Sequence, residues 1–200
     1  MPSKPKPQPP PRSPSPDEWV DWIDEQGRTL QALPRADIRR RNLLHRVTAT
    51  FVFHPDGRVF VQRRADSKDV YPGLYDMAVG GTVASGEDFA TNARREIAEE
   101  LGARNVPLYR LFSHRFRDAH THSWIEVFAC EYDGPITLQP EEVAEGYWAD
   151  QATVQRLIDA RRMCPDSAQA WCLYGEQCRA EGKLRARIEA GRLQPVAVGA

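Results

Sequence analysis

The sequence lacks any apolar run approaching the length of a bilayer-spanning helix, and its N-terminus lacks the apolar core of a secretory signal. No membrane partner is therefore expected, and the cytoplasm is the expected compartment. Cysteine is scarce: Cys130, Cys164, Cys172 and Cys178 include no CxxC pair, so they are expected as reduced thiols. An excess of either charge is also missing, with 27 Lys and Arg against 28 Asp and Glu. That balance gives no reason to expect a nucleic acid polymer or an anionic surface as partner. No internal repeat appears, and nothing in the sequence bears on oligomeric state. Residues 1–17 are nearly devoid of apolar side chains, and the first sixteen hold eight of the sixteen prolines. This stretch is expected to be a disordered or polyproline tail, read as a solvated tail ahead of a ligand for a proline-binding domain.

From Glu18 the composition becomes globular, and residues 18–190 are expected to form one domain, followed by a flexible tail over 191–200. A strand at 19–23, a turn at 25–28 and a return strand at 29–32 come first, then a short basic helix at 35–42. Strands at 45–53 and 59–64 flank Pro55-Asp56-Gly57, a hairpin turn. Two further strands at 108–116 and 123–132 precede helices at 151–162 and 166–181. Tyr147-Trp148-Ala149 reads as a buried strand end. Strands on both sides of one central helix, closed by C-terminal helices, imply an α/β layered fold.

That central helix is the most informative element. It is expected over 88–101, with Ser85 as N-cap, Asp88 completing a capping box, and Gly102 at the C-terminus. Phe89, Ala93, Ile97 and Leu101 form an apolar stripe. Beside it, Glu96, Glu99 and Glu100 fall within a third of a turn, and only Arg95 is placed to offset them. Negative charge in this half of the helix also opposes the macrodipole. Two readings follow from the helix alone: a solvated acidic face, or a site for a hard divalent cation, Mg²⁺ or Mn²⁺, held by oxygen ligands.

The preceding loop, Gly80-Gly81-Thr82-Val83-Ala84-Ser85-Gly86-Glu87, decides between them. Gly81, Glu87, Arg95, Glu96, Glu99, Glu100 and Gly102 occupy every fixed polar and glycine position of a signature, which resembles that of the Nudix hydrolases. Ala103 departs from it, where the family usually has a larger aliphatic residue. The resemblance covers roughly residues 18–159. It implies a mixed β-sheet between helical layers, an α/β/α sandwich, and metal-dependent water attack on a small-molecule diphosphate. It further implies that Glu96, Glu99 and Glu100 ligate metal or orient water, and that Arg95 positions them. The Gly80 carbonyl is a further candidate ligand, because the glycine pair admits close backbone approach. Glu87 is expected to tether the loop through Arg95. Glu126 and Glu142 are candidates for a general base outside the motif, beside readings as ordinary exposed acids.

Cations for phosphate binding are expected at Arg64 and Lys68. Together with His45-Arg46 and Pro72-Gly73, they resemble the diphosphate-binding segment of type 1 isopentenyl diphosphate isomerases, a branch of the same fold. The isomerase chemistry itself fails here. Its cysteine and histidine positions fall on Gly80 and Thr82, and its later acidic positions on Thr121 and Ser123. A non-catalytic ligand sensor is a third reading, opposed by the intact carboxylates. His114, His120 and His122 are read as ordinary strand or surface residues. Trp124, Tyr147 and Trp148 could stack on a nucleobase, though Trp148 fits a core better. Cys164-Pro165-Asp166-Ser167 reads as a helix start without chemistry.

Overall fold

The computed structural model describes residues 18–197. An antiparallel hairpin of β1 (Trp19–Ile23) and β2 (Thr29–Pro34) leads into α1 (Arg35–Arg41). The main sheet comprises β3 (His45–Phe53), β4 (Val59–Arg64), β5 (Tyr75–Asp76), β6 (Ala78–Val79), β7 (Tyr109–Arg117), β8 (His122–Glu131) and β9 (Val143–Ala149). Its order is β5-β4-β3-β8-β7, with β6 also on β3 and β9 also on β4. β3 and β8 run parallel while the other pairs are antiparallel, which makes the sheet mixed. The helices are α2 (Phe89–Leu101), α3 (Gln151–Asp159), α4 (Pro165–Glu181) and α5 (Leu184–Glu189).

Alternation along the strands builds two cores, one on each face of the sheet. On β8, Ile125, Val127 and Ala129 join Phe51, Met77 and Tyr174 beneath the C-terminal helices. Phe128 and Cys130 point the other way, to Ala93, Ile97 and Leu101 of α2. The expected α/β/α layering is thus present.

Three expectations need correction. Asp88, not Ser85, caps α2: its backbone is extended, and its Oδ1 accepts from the Ala90 and Thr91 amides at 2.9 and 3.0 Å. Ser85 instead donates its hydroxyl to Asp21 on β1 at 2.7 Å. α3 stops at Asp159, and Arg161, with φ of 54°, turns the chain away. α5 and the two-residue strands β5 and β6 were not expected at all. Finally, part of the tail expected at 191–200 is tied down: the Val196 amide donates to the Leu108 carbonyl at 2.7 Å, and Arg94 donates to the Val196 carbonyl at 2.7 Å. The proline-rich stretch lies outside the described residues.

Candidate functional site

The second half of α2 forms one wall of a cavity of about 550 Å³, lined on that side by Arg95, Glu96, Glu99 and Glu100. The helix reaches this position because most of its apolar stripe is buried, Ala93, Ile97 and Leu101 each being inaccessible to solvent and Phe89 partly covered. Its adjoining face must then look across the edge of the sheet. Asn92 fixes the helix to its surroundings, accepting from the Thr48 hydroxyl on β3 and donating to the Thr82 carbonyl at 3.0 Å.

Arg95 organises the acids. Its Nε and Nη2 reach the two oxygens of Glu87 at 3.1 and 3.2 Å, and its Nη1 reaches Glu96 at 2.9 Å and Glu99 at 3.1 Å. Glu87 in turn accepts from Asn92 Nδ2 at 2.9 Å, so the loop is tethered to the helix through Arg95. Glu100 lies deepest and accepts from Gln62 Nε2 on β4 at 2.8 Å. Burial pushes the Glu96 carboxyl up to about 7, with Arg95 opposing and Glu99 and Glu142 adding to the rise. It pushes Glu100 up to about 8, with the charge of Glu96 as the next cause.

Both glycines of the Gly80-Gly81 pair sit in close approach to neighbouring atoms. A Cβ on Gly81 would lie 2.7 Å from Glu96 Oε1, and one on Gly80 would lie 2.0 Å from the Thr48 carbonyl oxygen. The Thr48 amide donates to the Gly81 carbonyl at 2.9 Å, so the alternation of an antiparallel ladder turns the next carbonyl, that of Gly80, away from β3.

The residues fit a hard cation in charge and donor type. Five carboxylates line this end, Glu87, Glu96, Glu99, Glu100 and Glu142, against the cations Arg95 and Lys68. Two of the five resist ionisation as they stand, and the donor atoms are all oxygen. Among the described residues, no three acidic, histidine or cysteine side chains already converge as a closed shell. A cation would therefore draw the carboxylates from the positions where Arg95 and Gln62 hold them.

Arg64 and Lys68 line the same cavity, as expected, though each has an acidic partner. Lys68 pairs with Glu142, and Arg64 lies 3.6 Å from Asp76 while donating to the Val70 carbonyl at 3.1 Å. The two candidate outside bases part company: Glu142 lines the cavity, while Glu126 sits on the α2-facing side of β8, paired with Arg110. His45 and Arg46 do not reach the cavity. His45 is buried with Nδ1–H donating to the Leu43 carbonyl, and Arg46 binds Asp21 at 3.0 Å and the Gly27 carbonyl at 2.6 Å. His114, His120 and His122 are absent from the lining as well. So are the three aromatics considered for stacking. Trp124 lies under Arg115, Trp148 packs on Phe60, and Tyr147 faces Tyr75.

Sequence reasoning missed a second set of lining residues: Arg35 and Arg39 from α1, Tyr71, Asp76, and Asp166 and Ser167 at the start of α4. The arginines had a readable signal, since a spacing of four places both on one face of the short basic helix. Asp166 had none, because its position looked like an ordinary helix start.

Comparison with known proteins identifies the family of this fold. The NUDIX domain family model matches residues 43–186. An uncharacterized Nudix hydrolase of Pseudomonas aeruginosa, PA4841, is 40% identical over 163 residues, covering 82% of this chain and 96% of that protein. The uncharacterized Nudix hydrolase YfcD of Escherichia coli K12 is 35% identical over 157 residues, covering 78% of this chain and 86% of YfcD. Among solved structures, DR0079 from Deinococcus radiodurans superposes with a TM-score of 0.63 at 27% identity, covering 72% of this chain and 90% of that one.

Proposed function

The chain belongs to the Nudix family of hydrolases, and from this premise we propose that it cleaves a diphosphate linkage in a nucleoside-diphosphate-type or related small molecule, with Mg²⁺ or Mn²⁺ as cofactor. The observation that carries the reading is the division of one cavity into an acidic wall on α2 and a cationic side at Arg64 and Lys68. Glu96, Glu99, Glu100 and the Gly80 carbonyl would hold the cation, which supplies charge neutralisation at phosphate oxygens and acidifies water. Arg95 gathers Glu96 and Glu99 beside that position and would release them to the cation. Lys68 and Arg64 orient the phosphates. Water attacks one phosphorus, the anhydride P–O bond breaks, and a carboxylate of the cavity takes the proton. Of the two candidate acids outside the motif, Glu142 lines the cavity beside Lys68 and is the one we favour, whereas Glu126 is paired with Arg110 and does not line it.

The resemblance of the 64–73 loop to the isomerases supports diphosphate recognition there, without their chemistry. Gly80 and Thr82 offer no thiol or imidazole, and Thr121 and Ser123 no carboxylate. Among the described residues Tyr71 is the one aromatic of the cavity lining, and its hydroxyl donates to Asp118. That lining favours related diphosphates over ligands held by base stacking.

The test is a panel of diphosphates assayed for phosphate, pyrophosphate or nucleoside monophosphate release with Mg²⁺, with Mn²⁺ and with chelator, and with isopentenyl diphosphate followed for isomerisation. Metal-dependent hydrolysis is expected. Isomerisation, or binding without turnover, would overturn the reading.

A further inference from the structure

The cationic side of the cavity is unevenly compensated. Arg64 has Asp76 at 3.6 Å, Lys68 has Glu142, and Arg35 has Asp69 at 3.6 Å and Glu18 at 3.8 Å. Arg39 is the exception. Its nearest carboxylate is the same Asp69, at 3.9 Å, which lies closer to Arg35 and is half exposed. Its Nη2 and Nη1 make only long contacts, 3.4 Å to the Thr82 hydroxyl and 3.5 Å to the Thr121 hydroxyl. Its Nε is buried with no hydrogen-bond partner among the described residues. A guanidinium has five N–H donors and is costly to bury unpaired. Burial, and next the charge of Arg35, push this one down to about 10.

The surroundings supply hydroxyls. Thr82, Thr121 and Ser123 are all buried and line the cavity, and the Thr121 and Ser123 oxygens lie 2.7 Å apart. The same cavity-lining positions, in an acidic version, would suit a cation. Here, beside an under-partnered arginine, they suit an anion. Thr82 follows directly on Gly81, so this group of side chains adjoins the acidic wall without belonging to it.

We propose that Arg39, with the hydroxyls of Thr82, Thr121 and Ser123, forms a second oxyanion site that takes a phosphate or carboxylate carried by the substrate in addition to the diphosphate that is cleaved. This rests on the hydrolase reading for the word substrate, but the site itself is defined by its own residues. It narrows the substrate class to small molecules with an anionic group beyond the scissile linkage.

The site is tested apart from turnover by following arginine Nε–H resonances of the full chain, treated with chelator, during titration with inorganic phosphate and, separately, with succinate. The Arg39 resonance, assigned by its loss in Arg39→Lys, is expected to shift saturably with one or both probes, which also tells phosphate from carboxylate. Thr121→Val is expected to weaken that binding about 3- to 10-fold, the loss of one hydrogen bond. An Arg39 resonance indifferent to both probes would overturn the site. In turnover, Arg39→Gln is expected to raise KM about 10- to 100-fold for diphosphates bearing a second oxyanion, with kcat unchanged, and to leave those without one unaffected. An equal loss for both kinds would place Arg39 on the scissile diphosphate and defeat the proposal. A chain that hydrolyses no diphosphate would defeat the hydrolase reading alone, since the resonance titration would still decide the site.

Discussion

A methyl group added at Gly81 would meet Oε1 of Glu96, a side-chain atom that can move, whereas one added at Gly80 would meet a backbone oxygen of β3. The two neighbouring glycines should therefore fail in different ways. Gly81→Ala displaces a proposed metal ligand and is expected to lower turnover about 100-fold, with the melting midpoint almost unchanged. Gly80→Ala pries β6 from β3 and is expected to cost about 3 kcal/mol, roughly 10 °C. Thermal melts alongside kinetics separate the two, and a catalytic defect confined to Gly80→Ala would contradict the assignment. The carboxylates give the complementary test. Glu99→Gln keeps the shape and removes the charge, and it is expected to abolish most turnover while leaving the fold intact. Glu100→Gln should do the same and also raise stability at neutral pH, because burial opposes the ionised form of Glu100. Wild-type turnover in either variant would remove the metal site from the mechanism.

At the scale of elements, α2 depends on how it begins. Asp88 satisfies two amides of the first turn, so Asp88→Ala is expected to cost about 1 kcal/mol in urea unfolding, and Ser85→Ala about half of that or less. The reverse order would return the cap to Ser85. The capping-box spacing that points to Ser85 is a local rule, and it was overridden by Asp21 on a strand distant in sequence. The same contrast runs through the rest of the chain. The stripe at Phe89, Ala93, Ile97 and Leu101 was legible because helical periodicity is local, and so was the tether from Glu87 to Arg95. Which of Glu126 and Glu142 faces the cavity was not legible, because that depends on the pairing of β8 with β3. Arg46 illustrates the point from the other side: by type and position it suited phosphate, yet the β1–β2 hairpin claims its guanidinium through Asp21 and Gly27. β5 and β6 hold two residues each and take their strand form from β4 and β3, so no periodicity could announce them.

Taken whole, the molecule brings Glu18, α1, the loop after β4, α2, β8 and the start of α4 to one cavity, so the layers cannot shift independently of the site. Where α4 meets β5, the half-buried Asp166 and Asp76 lie close together, with Arg64 as the nearby cation. Burial, followed by the charge of Asp76, pushes Asp166 up from 3.8 to about 6, and burial raises Asp76 as well, against the pull of Arg64. The native chain therefore keeps a proton in this pair that the unfolded chain has already lost. Between those two values the native state binds more protons, so its stability falls as pH rises from about 4 to about 6 and stays lower above that window. Asp166→Asn keeps the size of the side chain and an acceptor for the Ser167 amide, but carries no charge. It is expected to flatten the decline and to gain about 2–3 kcal/mol over the natural chain at pH 7, with little gain at pH 4. Urea unfolding of both chains at pH 4, 5, 6 and 7, with chelator present to remove any contribution from bound metal, measures the difference directly. An Asn variant that is less stable at pH 7 would mean that ionised Asp166 serves as a partner of Arg64, and that α4 is held to the sheet by that charge rather than in spite of it.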